Sequence, residues 1–245
     1  MKHLKKFETQ AAYDAAKDGL ILPNVSYIEE TNVVEFEPYV PSINNIITYS
    51  ASAKLTETTS TGEKSGLHTN AFSGSSGQLT ITNHTFENGV GTIEFSGDVT
   101  SIGQYAFYGC RSLTSIDIPN SVTTIGNGAF SYCTGLTGCT IGSGVTSIGN
   151  MAFFYCTSLI SIDIPSGVTT IGERAFNDCS NLVSVVCNPD TPPTLCEYRD
   201  EEDDFYPFDY NASGRKFYVP SASVSAYKSA RFWGLYYGSD IVAIQ

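Results

Sequence analysis

A 23-residue pattern is repeated four times between Val99 and Cys187, and this repeat constrains the fold more than any other feature of the chain. Each copy opens with valine and continues with isoleucine, glycine, an Ala-Phe pair, a cysteine, a leucine and an apolar-x-apolar step at constant spacing. A fixed period of this length is typical of solenoids, in which each repeat is too small to bury its own apolar face and stacks on its neighbours. The sequence therefore predicts a repeat solenoid.

Two columns of this repeat are predicted to form the core. Phenylalanines spaced by one period would give an aromatic spine, and cysteines three residues later would fill a column of small buried side chains. The chain has no C-x-x-C pair and no histidine within the repeats, which argues against metal binding by these thiols. The predicted core columns are Phe107, Phe130, Phe153 and Phe176, and Cys110, Cys133, Cys156 and Cys179.

The Leu-x-x-Ile-x-Ile step of each copy is expected to form one strand of a parallel β-sheet on one face, with irregular or short helical rungs opposite. Strand alternation turns the residues on either side of the middle isoleucine outward. These positions are mostly small and polar, whereas protein-binding hot spots favour Trp, Tyr and Arg. A carbohydrate-binding module would need exposed aromatic residues on this face, which carries only one. The candidate surface includes Ser115, Asp117, Thr140, Ser161, Asp163, Val186 and Tyr218.

The repeat degenerates at both ends. One period before the first clean copy, Leu79, Val90 and Ile93 fall in the apolar columns, which predicts a degenerate turn stacked on that copy. One period after the last copy, the next strand arrives nine residues late, and residues 197–205 account for the difference as an acidic insertion. The predicted divisions are a small α+β leader of helix and hairpin (1–40), a Ser/Thr/Gly-rich connection (41–76), the solenoid (77–220) and a C-terminal cap (221–245).

The run Leu-Thr-Ser-Ile-Asp-Ile-Pro at 113–119, followed by Val-Thr-Thr-Ile-Gly at 122–126 and by Ala-Phe and Cys, resembles the BspA-like leucine-rich repeats of bacterial surface proteins. The resemblance implies a non-catalytic protein-binding or adhesion module, at the cell surface or outside the cell, whose ligand is a host or bacterial surface protein. The first six residues lack the apolar stretch of a secretory signal. The alternative is a structural or display component of a larger particle such as a phage-derived assembly.

Composition and motif content argue against several classes of function. The net charge of −12, with only 13 scattered Lys and Arg, argues against a nucleic-acid partner, and no apolar run approaches the ~20 residues of a membrane span. No catalytic motif is present, and Cys196 has no evident histidine partner, so neither enzymatic activity nor a cofactor is expected. The insertion is interpreted as a solvated acidic loop or second binding surface, with calcium as the alternative. Its acidic residues are Asp200, Glu201, Glu202, Asp203 and Asp204, with Asp209 nearby.

Overall fold

The computed structural model describes residues 45–58, 66–196, 198–199 and 204–244. The chain divides into two units, residues 1–43 and 44–245. The predicted leader, residues 1–40, lies outside the described residues, and the elements below belong to the second unit.

The second unit is built mainly from short strands. The strands before the regular repeats are β1 (Ile46–Ala51), β2 (Glu57–Thr58), β3 (Leu67–His68), β4 (Phe72–Gly74), β5 (Gly77–Gln78), β6 (Ile81–Glu87) and β7 (Val90–Phe95). Those of the repeats are β8 (Ser101–Ile102), β9 (Leu113–Asp117), β10 (Thr124–Ile125), β11 (Gly138–Thr140), β12 (Ser147–Ile148), β13 (Ser161–Ile164), β14 (Thr170–Ile171), β15 (Ser184–Cys187) and β16 (Thr194–Leu195). The last elements are β17 (Tyr198–Arg199), β18 (Asp204–Phe205), β19 (Lys216–Val219), helices α1 (Val224–Ser229) and α2 (Trp233–Tyr237), and β20 (Ile241–Ala243).

Successive repeats stack through two parallel ladders. The two-residue strands β8, β10, β12, β14 and β16 pair in that order, with Ile125 opposite Ile148 one period later. The Leu-x-x-Ile-x-Ile segments form the second ladder, which is interrupted between β11 and β13. In its C-terminal part Ile162 lies opposite Val185. The stacking follows the period of the sequence, whereas the ladder of the Val-Thr-x-Ile segments was not predicted.

A stack of phenylalanine rings fills the centre of the unit. The rings of Phe107, Phe130, Phe153 and Phe176 are fully buried and lie 5.0–5.1 Å apart with interplanar angles of 13° or less. Phe208 extends the stack beyond the insertion, 5.1 Å from Phe176. One aromatic ring per repeat therefore runs through the regular part of the core.

The cysteine column lies beside these rings and is hydrogen-bonded as well as buried. The thiol of Cys156 donates to the backbone oxygen of Phe130 at 3.2 Å, and Cys133 and Cys179 make the equivalent bonds. In the last turn Asn211 takes this position and donates from Nδ2 to the oxygen of Phe176 at 2.7 Å. The column therefore supplies a donor to each turn, in addition to the packing predicted for it.

At the N-terminal end, the degenerate turn predicted for residues 77–98 buries Leu79 and Ile93 in the core, but its strand β7 does not pair directly with the first regular copy. Strand β1 lies between β7 and β9 and is antiparallel to both, with Tyr49 opposite Ile116. Val90, placed in the leucine column by the period, is 51% exposed. Strand β4, from the segment expected to be a connection, covers β8 in the other ladder. Alternate buried residues in β1 give it one apolar face, which closes the open end of the stack.

At the C-terminal end, the register shows where the extra chain of the insertion lies. Leu195, the partner of Ile171, comes one residue late relative to the period, and Phe217, the partner of Val185, comes nine residues late. One residue is therefore added before Leu195 and the other eight between it and Phe208, which corrects the assignment of all nine to 197–205. The inserted chain includes an antiparallel pair, β17 with β18.

The chain after β19 covers the last turn. The indole Nε1 of Trp233 donates to the oxygen of Pro193 at 2.7 Å, and the hydroxyl of Tyr227 donates to the oxygen of Pro189 at 2.9 Å. Both side chains are almost fully buried, and β20 adds a parallel strand to β19. Neither α1 nor α2, the α-helices of the described residues, is long and apolar enough to cross a membrane.

Candidate binding surface

The sheet-face residues singled out from the sequence all lie on the outer side of their strands. In β13, for example, Ser161 and Asp163 are exposed and the intervening Ile162 is buried, as strand alternation requires. The structure divides these residues between two grooves rather than spreading them along one continuous sheet.

The first groove lies where the sheet is interrupted. Strand β11 is the edge of a five-stranded sheet and β13 is the edge of a four-stranded one. Gly138 and Cys139 stand in β11 where the preceding and following copies have serine and isoleucine, and glycine weakens a strand. The resulting groove has a volume of about 520 Å³. Its lining includes Ser115, Asp117, Cys139, Thr140, Ser161 and Asp163.

This groove is lined by two acidic side chains, and its thiol is not activated for nucleophilic or metal chemistry. Asp117 is oriented by the hydroxyl of Thr48 on β1, which donates to its Oδ2 at 3.1 Å, and Asp163 is exposed. Burial, reinforced by the charge of Asp117, raises the pKa of the Cys139 thiol. The thiol therefore stays protonated at neutral pH, whereas a nucleophile or a metal ligand needs the thiolate.

The second groove lies at the C-terminal end of the sheet and is more apolar. It has a volume of about 600 Å³ and is lined by Val186, Tyr218, Val242 and Ile244, among others. Lys216 also lines it, and its ammonium group donates to Asp240 at 3.3 Å, which balances its charge. Val242 and Ile244 were missed because the sequence does not reveal that β20 pairs with β19.

A polar cluster near the N-terminal end brings together residues far apart in sequence. His84 Nδ1 donates to Glu57 Oε1 at 2.5 Å, and Nε2 lies 2.8 Å from the hydroxyl of Tyr49. That hydroxyl also accepts the backbone N–H of Leu55 at 3.4 Å and is buried with its side chain. This chain of bonds therefore links β1, β2 and β6.

The acidic insertion is only partly described. Asp200, Glu201, Glu202 and Asp203 lie outside the described residues, and Asp204 is described only through its backbone in β18. Asp209, considered with them as a calcium ligand, instead accepts the N–H of Tyr206 at 2.9 Å. Burial raises the pKa of its carboxyl group. Within the part of the chain that the structure describes, no three His, Cys, Asp or Glu side chains are grouped to hold a metal ion.

A surface feature that the sequence analysis missed lies on the turn side, the side formed by the Ala-Phe turns. Tyr132, Phe154 and Tyr155, here called the aromatic strip, are in mutual contact across two neighbouring repeats. Tyr108, from the preceding repeat, packs edge-on against Tyr132. These residues occupy two adjacent columns of the repeat, a signal that only an alignment of the turn positions would have revealed.

Comparisons with known proteins agree with the repeat. Residues 79–192 match the family model of the BspA type leucine rich repeat region in six copies. A comparison with curated proteins finds no match. Among solved structures, a leucine rich cell surface protein from Faecalibacterium prausnitzii A2-165 is 33% identical, with a TM-score of 0.33, over 39% of this chain and 26% of that one.

Two further solved structures are similar in part. The leucine rich repeat protein of T. pallidum is 29% identical, with a TM-score of 0.42, over 60% of this chain and 63% of that one. The pneumococcal vaccine antigen PcpA is 19% identical, with a TM-score of 0.44, over 60% and 39%. This chain spans about a quarter of the F. prausnitzii protein and just under two thirds of the T. pallidum protein. The period, the buried columns and the family match lead to one conclusion: the repeat region of this chain, residues 79–192, belongs to the BspA-type leucine-rich-repeat family.

Proposed function

We propose that this chain is a non-catalytic protein-binding module, a solenoid that contributes to adhesion through the outer face of its Leu-x-x-Ile-x-Ile sheet. The observation that carries the proposal is the apolar groove between β15, β19 and β20. Tyr218 and Ile244 are each 37% exposed there, next to the half-buried Val186. A tyrosine set among aliphatic side chains is the kind of anchor that dominates protein interfaces.

The acidic groove between β11 and β13 supports the same proposal in a different way. Asp117 and Asp163 line one groove, on a chain whose net charge is −12. Charge complementarity favours association with a neutral or basic protein surface and disfavours an acidic one. We therefore assign the apolar groove to affinity and the acidic groove to the choice of partner. The proposed location at the cell surface follows from the resemblance of the repeats to those of bacterial surface proteins.

The experiment is a capture assay with the biotinylated full chain on host and bacterial surface-protein extracts, followed by a titration with each purified captured protein. Val186→Asp places an unpaired charge in the apolar groove and should weaken binding at least about tenfold. Val183→Asp is the matched control, because Val183 is exposed and does not line the groove. Equal binding by Val186→Asp and the parent chain would refute the proposal, as would the absence of any captured protein.

A further inference from the structure

The aromatic strip is a contiguous set of rings on the turn side of the repeats. The ring centroid of Tyr132 lies 5.4 Å from that of Phe154 and 5.3 Å from that of Tyr155. Tyr155 is 42% exposed, and Tyr132 and Phe154 are half-buried. The strip therefore presents aromatic surface to solvent along the direction in which the repeats stack.

The two tyrosines of the strip have a backbone conformation that does not suit them. Tyr132 has a φ of +60° and Tyr155 a φ of +58°, in the left-handed region where bulky L-residues are outliers. The equivalent positions in the flanking repeats are Gly109 and Asp178, with φ of +64° and +60°. Glycine and aspartate adopt this region readily, so the turn itself does not require tyrosine.

Residues 130–135 and 153–158, which comprise the strip and its sequence neighbours, include no charged side chain. Thr134 and Thr157 follow the strip residues by two positions and are half-buried. The nearest charges along the same columns, Asp178 and Arg174, lie in the following repeat and attract each other. Asn177, one repeat beyond Phe154, is buried with no hydrogen-bond partner for Nδ2 among the described residues, and a buried donor left unpaired requires an explanation. Hydroxyl groups of a neutral ligand suit such surroundings better than charged groups do.

The repeat also sets the distance between equivalent residues in successive turns. Stacked phenylalanines are 5.0–5.1 Å apart, so one repeat advances by about the length that one pyranose unit adds to an extended β-linked glycan. Pyranose rings offer C–H faces to aromatic rings and hydroxyl groups to amide and hydroxyl side chains. We propose that the aromatic strip binds a neutral, extended β-linked glycan whose successive sugar units follow successive repeats.

This site is independent of the protein-binding function proposed above. The sheet-face grooves include none of the residues of the strip. Within the described residues, the sheet face carries a single exposed aromatic residue, too few for a carbohydrate site, whereas the turn side presents several neighbouring rings. Substitutions in one surface should leave the other intact, so the two proposals can fail separately.

The test is calorimetric titration of the full chain with cellotetraose and tetraacetylchitotetraose, with the α-linked maltotetraose for comparison. A β-linked tetrasaccharide should bind and change the tyrosine absorbance, whereas fluorescence from the buried Trp233 should not change. Tyr132→Asn and Tyr155→Asn should each weaken binding at least about tenfold, because each removes one ring from contact with the sugar. Asparagine tolerates the left-handed region, so both variants should keep the parent melting temperature.

Tyr210→Asn is the matched control. Tyr210 occupies the same column two repeats beyond Tyr155, with a φ of +55° and 66% exposure, so it shares the strain and lies outside the strip. Its substitution should leave sugar binding unchanged. The proposal is overturned if neither β-linked sugar binds, if the strip variants bind as well as the parent, or if Tyr210→Asn is equally impaired. A protein captured through Tyr155, with no sugar binding, would make the strip a protein interface and would also overturn it.

Discussion

The cysteine column shows that one position of the repeat can supply both core packing and a hydrogen bond. Repeat spacing predicted that these residues are buried, and burial alone would be satisfied by alanine or valine. The structure adds a bond from the thiols of Cys133, Cys156 and Cys179 to a backbone oxygen of the preceding repeat, and Asn211 makes it with an amide in the last turn. Thiol and amide share one property here, since each can donate a hydrogen bond to a backbone oxygen.

The thiols provide a test at this scale. Five of the seven cysteines are buried and two, Cys139 and Cys196, are half-buried. Burial raises the pKa of Cys110 to about 12 and raises that of Cys196 as well, so little thiolate is present at about pH 8. Ellman's reagent should therefore modify at most two thiols in the native protein and all seven in urea. Cys196→Ser should lower the native number by one, and rapid reaction of the buried five would contradict the structure.

At the scale of elements, β1 is the strand that the period could not place. Its alternation of buried and half-buried residues is legible in the sequence, but its partners are β7 and β9, and Tyr49 lies opposite Ile116, which is distant in the sequence. Strand β1 also runs antiparallel to both of its neighbours, and a shift of the repeat by one period cannot predict such a strand. The turn positions were missed for a related reason, because tyrosines with positive φ do not follow ordinary preferences.

The docking of β1 can be tested through Tyr49→Phe. The change leaves His84 Nε2 and the N–H of Leu55 without their shared partner, which should lower the free energy of unfolding by about 1–3 kcal/mol in urea titrations. Hydrogen exchange should quicken in β1 and β6 more than in β13 and β15. Tyr218→Phe, which removes the hydroxyl from an exposed tyrosine, is the control and should change stability by less than about 0.5 kcal/mol. A parent-like stability of Tyr49→Phe would show that the cluster does not hold β1 in place.

At the scale of the whole molecule, charge rather than packing should determine how the stability changes with pH and salt. The chain has 25 acidic and 13 basic residues, so its folded state repels itself at neutral pH. Burial also raises the pKa of Asp178 and Asp209, so the folded state holds these protons more tightly than the unfolded chain. Their contribution to stability is full below the unfolded pKa and is lost as pH rises through the folded pKa.

Stability should therefore increase as pH falls from about 7 towards about 4, the ordinary pKa of aspartate, and added salt at pH 7 should also increase it. Urea unfolding followed by circular dichroism measures both effects. Asp209→Asn removes one of the two carboxyl groups and should be more stable than the parent at pH 7, with a difference that shrinks towards pH 4. A stability that falls steadily between pH 7 and pH 5 would contradict this account.

The sequence by itself determined the stacked repeat, its buried phenylalanine and cysteine columns, the outward strand positions and the length of the insertion. These features could be predicted because each is defined by a spacing that recurs in every copy of the repeat, or by a departure from that spacing. Only the tertiary structure decided how β1 and β4 close one end, how Trp233 and β20 cover the other, and where the sheet breaks at Gly138. Those features depend on pairings between distant segments that occur once, so no periodic pattern in the chain records them.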